Sequence, residues 1–333
     1  MMTIKQIYDL AINLGIKNDL RGSAFVQKKL KYINDKYKEL KPEEKKGFDQ
    51  ENLTNPYADS RVLTDGLNKK VKRVLVGIDI EVGEILLANE LSKKKPIDLI
   101  IAHHPEGVSL AGLGDVMDLQ IELLHKYGIP INIAEDITKL RMSEVNRGVN
   151  PINHNRAVDA AQLMGLEMMN VHTPADNLVA TFLDNLIKKN EKKLERVEDL
   201  LKLLKTIPEY KEAIKTKVGP KLFTGSPDRY LGKIALTEIT GGTSGSKDYY
   251  EKIAQAGIGT IVGMHMGEEH RKNAEKAHLN IVIAGHMSSD SIGMNLFLDE
   301  LEKKGIEIIP CSGLIRVSRN STSAKASVDK KKK

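Results

Sequence analysis

The chain has 333 residues, 41% hydrophobic and 29% charged, with a formal net charge of +6, one cysteine and no tryptophan. That length supports two domains with sizeable cores, while the lone Cys311 excludes an internal disulfide framework and any cysteine-rich zinc site. No apolar run approaches the roughly 20 residues that cross a bilayer, and the amino terminus lacks the layout of a secretory signal, which together predict a cytoplasmic protein.

In chain order, residues 1–65 read as a helical N-terminal extension. Ile4, Ile7, Tyr8, Leu10 and Ala11 form one helical face, a second helix runs from Ser23 to about Tyr37, and the polar stretch Pro42 to Pro56 is a linker. Nothing in this extension looks catalytic. A first α/β lobe spans 66–177. It opens with a strand, Val71 to Ile80, carrying Asp79 at its end, where a carboxylate reads as the cap of the helix Glu81 to Leu91 in preference to a ligand. Leu99 to Ala102 is a strand buried on both faces, and it ends in His103, His104 and Pro105. A glycine-rich loop, a helix from Asp115 to Tyr127 and a strand from Gly128 to Ala134 follow. After a polar loop around His154 come a helix, Asn155 to Met164, and a strand, Glu167 to Val171, whose tip HTPAD sets His172 and Asp176 four positions apart.

Residues 178–228 are lysine- and glutamate-rich and read as a helical insertion on the outside of the molecule, separating the halves. The second lobe, 229–317, begins with the strand GKIALTEIT and the loop Gly241 to Ser246, which opens a helix from Lys247 to Ala256. A strand from Thr260 to Met264 and a helix from Glu268 to Ala277 lead into NIVIAGH. His286 and Asp290 then start a helix, and Ile306 to Pro310 is the last strand. Residues 318–333 form a disordered basic tail. Lys325 and Lys330 to Lys333, against Asp329, supply four of the six net positive charges, so the body is close to neutral. With only 4% aromatic residues it offers neither a basic stripe nor a stacking platform, and no nucleic-acid partner is expected.

LIIAHHP and NIVIAGH repeat one design: a buried strand delivering histidine to its carboxyl end, with a helix on either side and a glycine-led strand beyond. The fold class is therefore α/β, with two related, intertwined lobes and mixed, largely parallel sheets. Sites in such sheets gather at the carboxyl ends of strands. His103 and His104 at one tip can splay across a cleft, while His286 and Asp290 share one helical face. With Asp176 they make three imidazoles and two carboxylates, a set suited to two divalent ions bridged by carboxylate or water. Such donors favour zinc, manganese, iron, cobalt or nickel over calcium or magnesium. Metal-assisted attack by water follows as the chemistry. His265, at a strand end near the cleft, is a candidate either to support the metal ligands from behind or to take part in catalysis. Gly241, Gly242, Ser244, Gly245 and Ser246 read either as a phosphate-cradling nest or as a flexible turn.

LIIAHHP at 99–105, HTPAD at 172–176, GGTSGS at 241–246 and GHMSSD at 285–290 resemble, in order, the boxes of the NGG-interacting-factor-like family, many bacterial members of which are labelled GTP cyclohydrolase I type 2. The resemblance implies two intertwined α/β repeats, a hexameric ring and a dinuclear metal centre held by His103, His104, Asp176, His286 and Asp290. Two departures stand out. The family usually has glutamate where this chain has Asp290, and its HTNLD box is HTPAD here, which leaves Glu135 and Asp136 as competitors of Asp176. The expected function is a dinuclear metal-dependent hydrolase acting on a nucleotide-like or phosphorylated small molecule, with Asp79 or His265 as proton shuttle. The alternative is a non-catalytic metal-binding ring that regulates or binds partners.

Overall fold

The structure, a computed structural model, describes residues 1–320. The basic tail beyond them lies outside the described residues. Two four-stranded sheets dominate. In the first, strands β3 (Arg73–Gly77), β4 (Leu99–Ala102), β5 (Met168–Asn170) and β10 (Glu307–Cys311) lie in the order β10-β3-β4-β5, all parallel. In the second, β6 (Lys221–Thr224), β7 (Lys233–Glu238), β8 (Ile258–Gly263) and β9 (Asn280–Ile283) lie in the order β6-β9-β8-β7, with only β6 antiparallel. A small ribbon pairs β1 (Met2–Thr3) with β2 (Lys70–Val71). Because β10 follows the second sheet in sequence yet pairs with β3 in the first, the lobes are intertwined as expected.

Each sheet is covered on both faces, and the strand period of two divides its side chains between two cores. In β3 and β4, Val74, Val76, Leu99 and Ile101 face one core while Leu75, Ile100 and Ala102 face another. In β8 and β9, Val262 and Val282 face one way and Ile261, Ile281 and Ile283 the other. Between the sheets runs a pair of helices, Thr173–Asn190 and His286–Lys303. The first sends Ala175 and Leu178 into the first sheet's core and Val179, Ala180 and Leu183 into the second's. The second sends Phe297, Leu298 and Leu301 one way and Ile292 the other. The pair crosses closely: a Cβ on Gly293 would lie 2.2 Å from the Ala175 carbonyl oxygen.

Several expectations are corrected. Gly128 to Ala134 is no strand: after Pro130 the chain enters a helix, Ile131–Val149, which buries Ala134, Thr138 and Val145 along one side. The alternation in Ile129, Ile131 and Ile133 is the lead into a helical stripe. The segment from 178 is not outer, since helix Thr173–Asn190 starts inside the HTPAD box and lies between the sheets. The N-terminal helix Ile4–Lys17 also packs inward, placing Ile4, Ile7 and Ala11 in the first sheet's core. The polar stretch after Pro42 contains a short helix, Pro42–Lys46, and a 3₁₀ turn, Gln50–Leu53. No helix among the described residues is long and apolar enough to cross a membrane.

Candidate metal centre

The parallel strands of both sheets end at one cleft. β4 delivers His103 and His104, whose N–H groups donate in succession to the carbonyls of Gly77, the last residue of β3, and of Ile78 just beyond it. That departure from the regular ladder puts both rings on one side, with centroids 5.3 Å apart. β5 delivers His172, and the first turn of the following helix brings Asp176. The helix after β9 begins with His286 and carries Asp290 one turn on, so both carboxylates sit near helix amino termini, where the helix dipole favours negative charge.

Asp290 is the centre of the arrangement. Its Oδ1 lies 3.6 Å from His103 Nε2, and its Oδ2 lies 3.5 Å from both His104 Nε2 and His286 Nε2. Asp176 Oδ1 is 3.5 Å from His103 Nε2, and its Oδ2 is 3.9 Å from His172 Nε2. These separations exceed hydrogen-bond length. They are close to the roughly 3.4 Å between donor atoms on a tetrahedral ion with bonds of about 2.1 Å. Asp176 Oδ1 and both Asp290 oxygens are buried without a hydrogen-bond partner, a costly condition that a cation would relieve.

The imidazoles are also oriented from behind. His103 Nδ1 stands 3.0 Å from the Val171 carbonyl oxygen, His104 Nδ1 2.6 Å from Asp79 Oδ1, and His172 Nδ1 2.8 Å from Asp59 Oδ2. An oxygen partner at Nδ1 turns Nε2 toward the carboxylates, the usual backing of a metal-binding histidine. In charge terms the site is short of cations. Burial alone would raise the Asp290 pKa, but His103, His104 and His286 hold it well below the usual carboxylate range. Burial pulls His104 down, yet Asp290 and Asp79 push it up to about 10. Burial raises Asp176 to about 6 and lowers His286 to about 4. The residues fit a divalent cation in three overlapping groups: His103 with Asp176 and Asp290, His104 with His286 and Asp290, and His103 with His104 and His172.

All five expected ligands thus come together, and His265 lines the same cleft, with its Nδ1 3.2 Å from Ser244 Oγ and its ring 4.7 Å from that of His286. Burial lowers its pKa, against the pull of Asp290. Asp79 does not cap the next helix. Glu81 occupies that position, its N–H donating to Glu84 Oε2, and Asp79 instead backs His104. Glu135 and Asp136 lie away from the cleft on helix Ile131–Val149, where Glu135 pairs with Lys139. Of the glycine loop, Gly242 and Ser244 line the cleft. Gly241 packs against Gln120, and Gly245 and Ser246 face a separate hollow beside Tyr249. The loop does not open a helix directly, since the next one is Tyr250–Gln255.

His172, four residues before Asp176, joins the candidate ligands without being among those the sequence points to. No local pattern marks Asp59, 113 residues before it in the N-terminal extension, or Glu238, which ends β7 in the cleft wall and accepts from the Tyr249 hydroxyl at 2.6 Å.

Against solved structures, the chain superposes on an NIF3 superfamily protein from Sphaerobacter thermophilus with a TM-score of 0.67 and 28% identity, over 77% of this chain and 92% of that one. The chain is NIF3-like. This is the NGG-interacting-factor-like family that its boxes resemble. Reduced HcgD from Methanocaldococcus jannaschii gives a TM-score of 0.46 at 15% identity over 75% and 87% of the two chains. A Bacillus cereus protein related to NIF3 gives 0.38 at 12% over 76% and 91%. No family model matches the NIF3-like chain, and no curated protein matches it.

Proposed function

We propose that this NIF3-like chain is a metal-dependent hydrolase of phosphorylated or nucleotide-like small molecules, built around two divalent ions that share Asp290. The observation that carries the reading is the set of three buried, unpartnered carboxylate oxygens faced by imidazole nitrogens whose far sides are already tied. His103, Asp176 and Asp290 would hold one ion and His104, His286 and Asp290 the other, with His172 completing the set beside His103. When bound, such a pair supplies an acidified water and stabilises negative charge that develops in hydrolysis. The chain's own contribution is positional. Asp59, Asp79 and the Val171 carbonyl hold three rings in register, and His265 offers an imidazole nitrogen to take up or return a proton in the cleft.

Elemental analysis should find about two equivalents of metal per chain in the wild type and close to none in a His103→Ala, His286→Ala double variant. Metal-loaded protein should then turn over a member of a panel of phosphoesters and GTP, with turnover lost in the double variant. Two equivalents of metal without turnover of any panel member would favour the non-catalytic ring instead. A well-folded wild type that takes up no zinc, manganese or iron would end the metal reading.

A further inference from the structure

The carbonyl groups of the glycine loop are held on its outer side. Gln120, buried on helix Asp118–Lys126, donates from Nε2 to the carbonyl oxygens of Gly241 at 2.8 Å and Thr243 at 2.7 Å. Arg141 Nε donates to the Ser244 carbonyl at 3.1 Å. A trans peptide is planar, with each C=O antiparallel to the next N–H, and no peptide among the described residues is cis. Anchoring the carbonyls of Gly241 and Thr243 on Gln120 therefore turns the N–H groups of Gly242 and Ser244 the opposite way. Both of those residues line the cleft, and neither N–H donates to a protein acceptor among the described residues. The turn depends on glycine: Gly241 and Gly242 have φ of 102° and 89°, and a Cβ on Gly242 would fall 2.7 Å from Val116 Cγ1.

We propose that the N–H groups of Gly242 and Ser244 form a seat for an oxyanion, the phosphoryl group of the substrate, and that Gln120 is the positioning residue that builds it. Converging backbone amides carry partial positive charge without a counter-charge of their own. The unpartnered Asp176 and Asp290 oxygens in the same lining call for cations, and cations held there would put positive charge in the cleft that the seat opens onto. The Ser244 hydroxyl is already engaged with His265, so the backbone does the binding. Glu238 shares the wall, but its carboxyl is engaged by the Tyr249 hydroxyl and the Gly245 N–H, and burial pushes it up to about 7. The identity of the anion rests on the proposed function; the seat itself does not.

The test is calorimetric titration of inorganic phosphate into protein of known metal content. Gln120→Glu, equal in size but unable to donate to two carbonyls, should weaken phosphate binding at least about tenfold with metal content unchanged, whereas Glu135→Gln, on helix Ile131–Val149 away from the cleft, should stay within about twofold. Equal affinity in Gln120→Glu, or an equal loss in Glu135→Gln, overturns the seat. If Gln120→Glu does not fold, the wild type decides: phosphate must shift the amide resonances of Gly242 and Ser244, and binding that leaves them unmoved overturns the proposal. Phosphate bound at these amides in protein that takes up no metal would leave the seat standing while the hydrolase reading fell.

Discussion

Adjacent histidines on a regular strand would point to opposite faces, and here they address opposite oxygens of one aspartate. That depends on the partners that hold each ring. Asp59→Asn keeps the shape behind His172 but removes the charge. We expect metal affinity to fall about 10- to 100-fold, measured against a competing chelator, with the fold retained. An unchanged affinity would mean that His172 does not need that partner. Glu238 gives a separate, pH-dependent signature. Burial holds its folded pKa at about 7, above the ordinary carboxyl value of 4.5, even though Tyr249, the Gly245 N–H and the more distant Arg141 pull it down. The native state therefore keeps a proton that the unfolded chain has lost between about pH 4.5 and 7, and the stability this group contributes at low pH is lost as pH rises through that window. In Glu238→Gln the fall in thermal midpoint from pH 5 to pH 8 should be smaller than in the wild type. An identical fall would show that the carboxyl titrates normally. At this scale the sequence is legible where a candidate ligand lies beside its own strand tip, as His103, His104 and His286 do. Asp59 and Gln120 reach the site only through tertiary packing, over separations that no local pattern encodes.

Among the elements, the helix pair between the sheets sets the distance between Asp176 and Asp290. Gly293 faces the backbone of Ala175, not a yielding side chain, so Gly293→Ala must push the helices apart. A cost of about 1–3 kcal/mol is expected, read as a drop of several degrees in thermal midpoint, together with weaker metal binding. Gly148, exposed near the end of helix Ile131–Val149 with open space around it, is the contrast: Gly148→Ala should be neutral or stabilising by up to about 1 kcal/mol. Similar losses at both positions would show that the close crossing is unimportant. Most strands could be read from their apolar runs because both sheets are covered on both faces. There are two exceptions: β6 lies within residues 178–228, which read as a helical insertion, and Gly128 to Ala134 has three isoleucines at strand spacing, yet helical burial at Ala134, Thr138 and Val145 outweighs them. The helix Thr173–Asn190 looked peripheral because its lysines gather at its far end, while the apolar residues that bury it share the first turns with polar ones.

For the whole molecule, the repeated strand-to-histidine design revealed two lobes but not how the chain threads them. β10 lies in parallel register with β3, Glu307 beside Arg73 and Cys311 beside Gly77. The paired residues are 234 positions apart. At about 5–20 residues per second, a ribosome needs on the order of ten seconds or more to make the intervening chain. Throughout that interval β3, an apolar strand in the middle of its final sheet, has one edge without its neighbour, the condition under which strands pair with the wrong partner. The site is equally late, since Asp59 and Asp290 belong to opposite ends of the same thread. Vectorial synthesis therefore cannot finish the first lobe before the second. The NIF3-like chain must mature as one unit, and the ions proposed for it would meet a complete set of donors only after nearly all of the protein has been made.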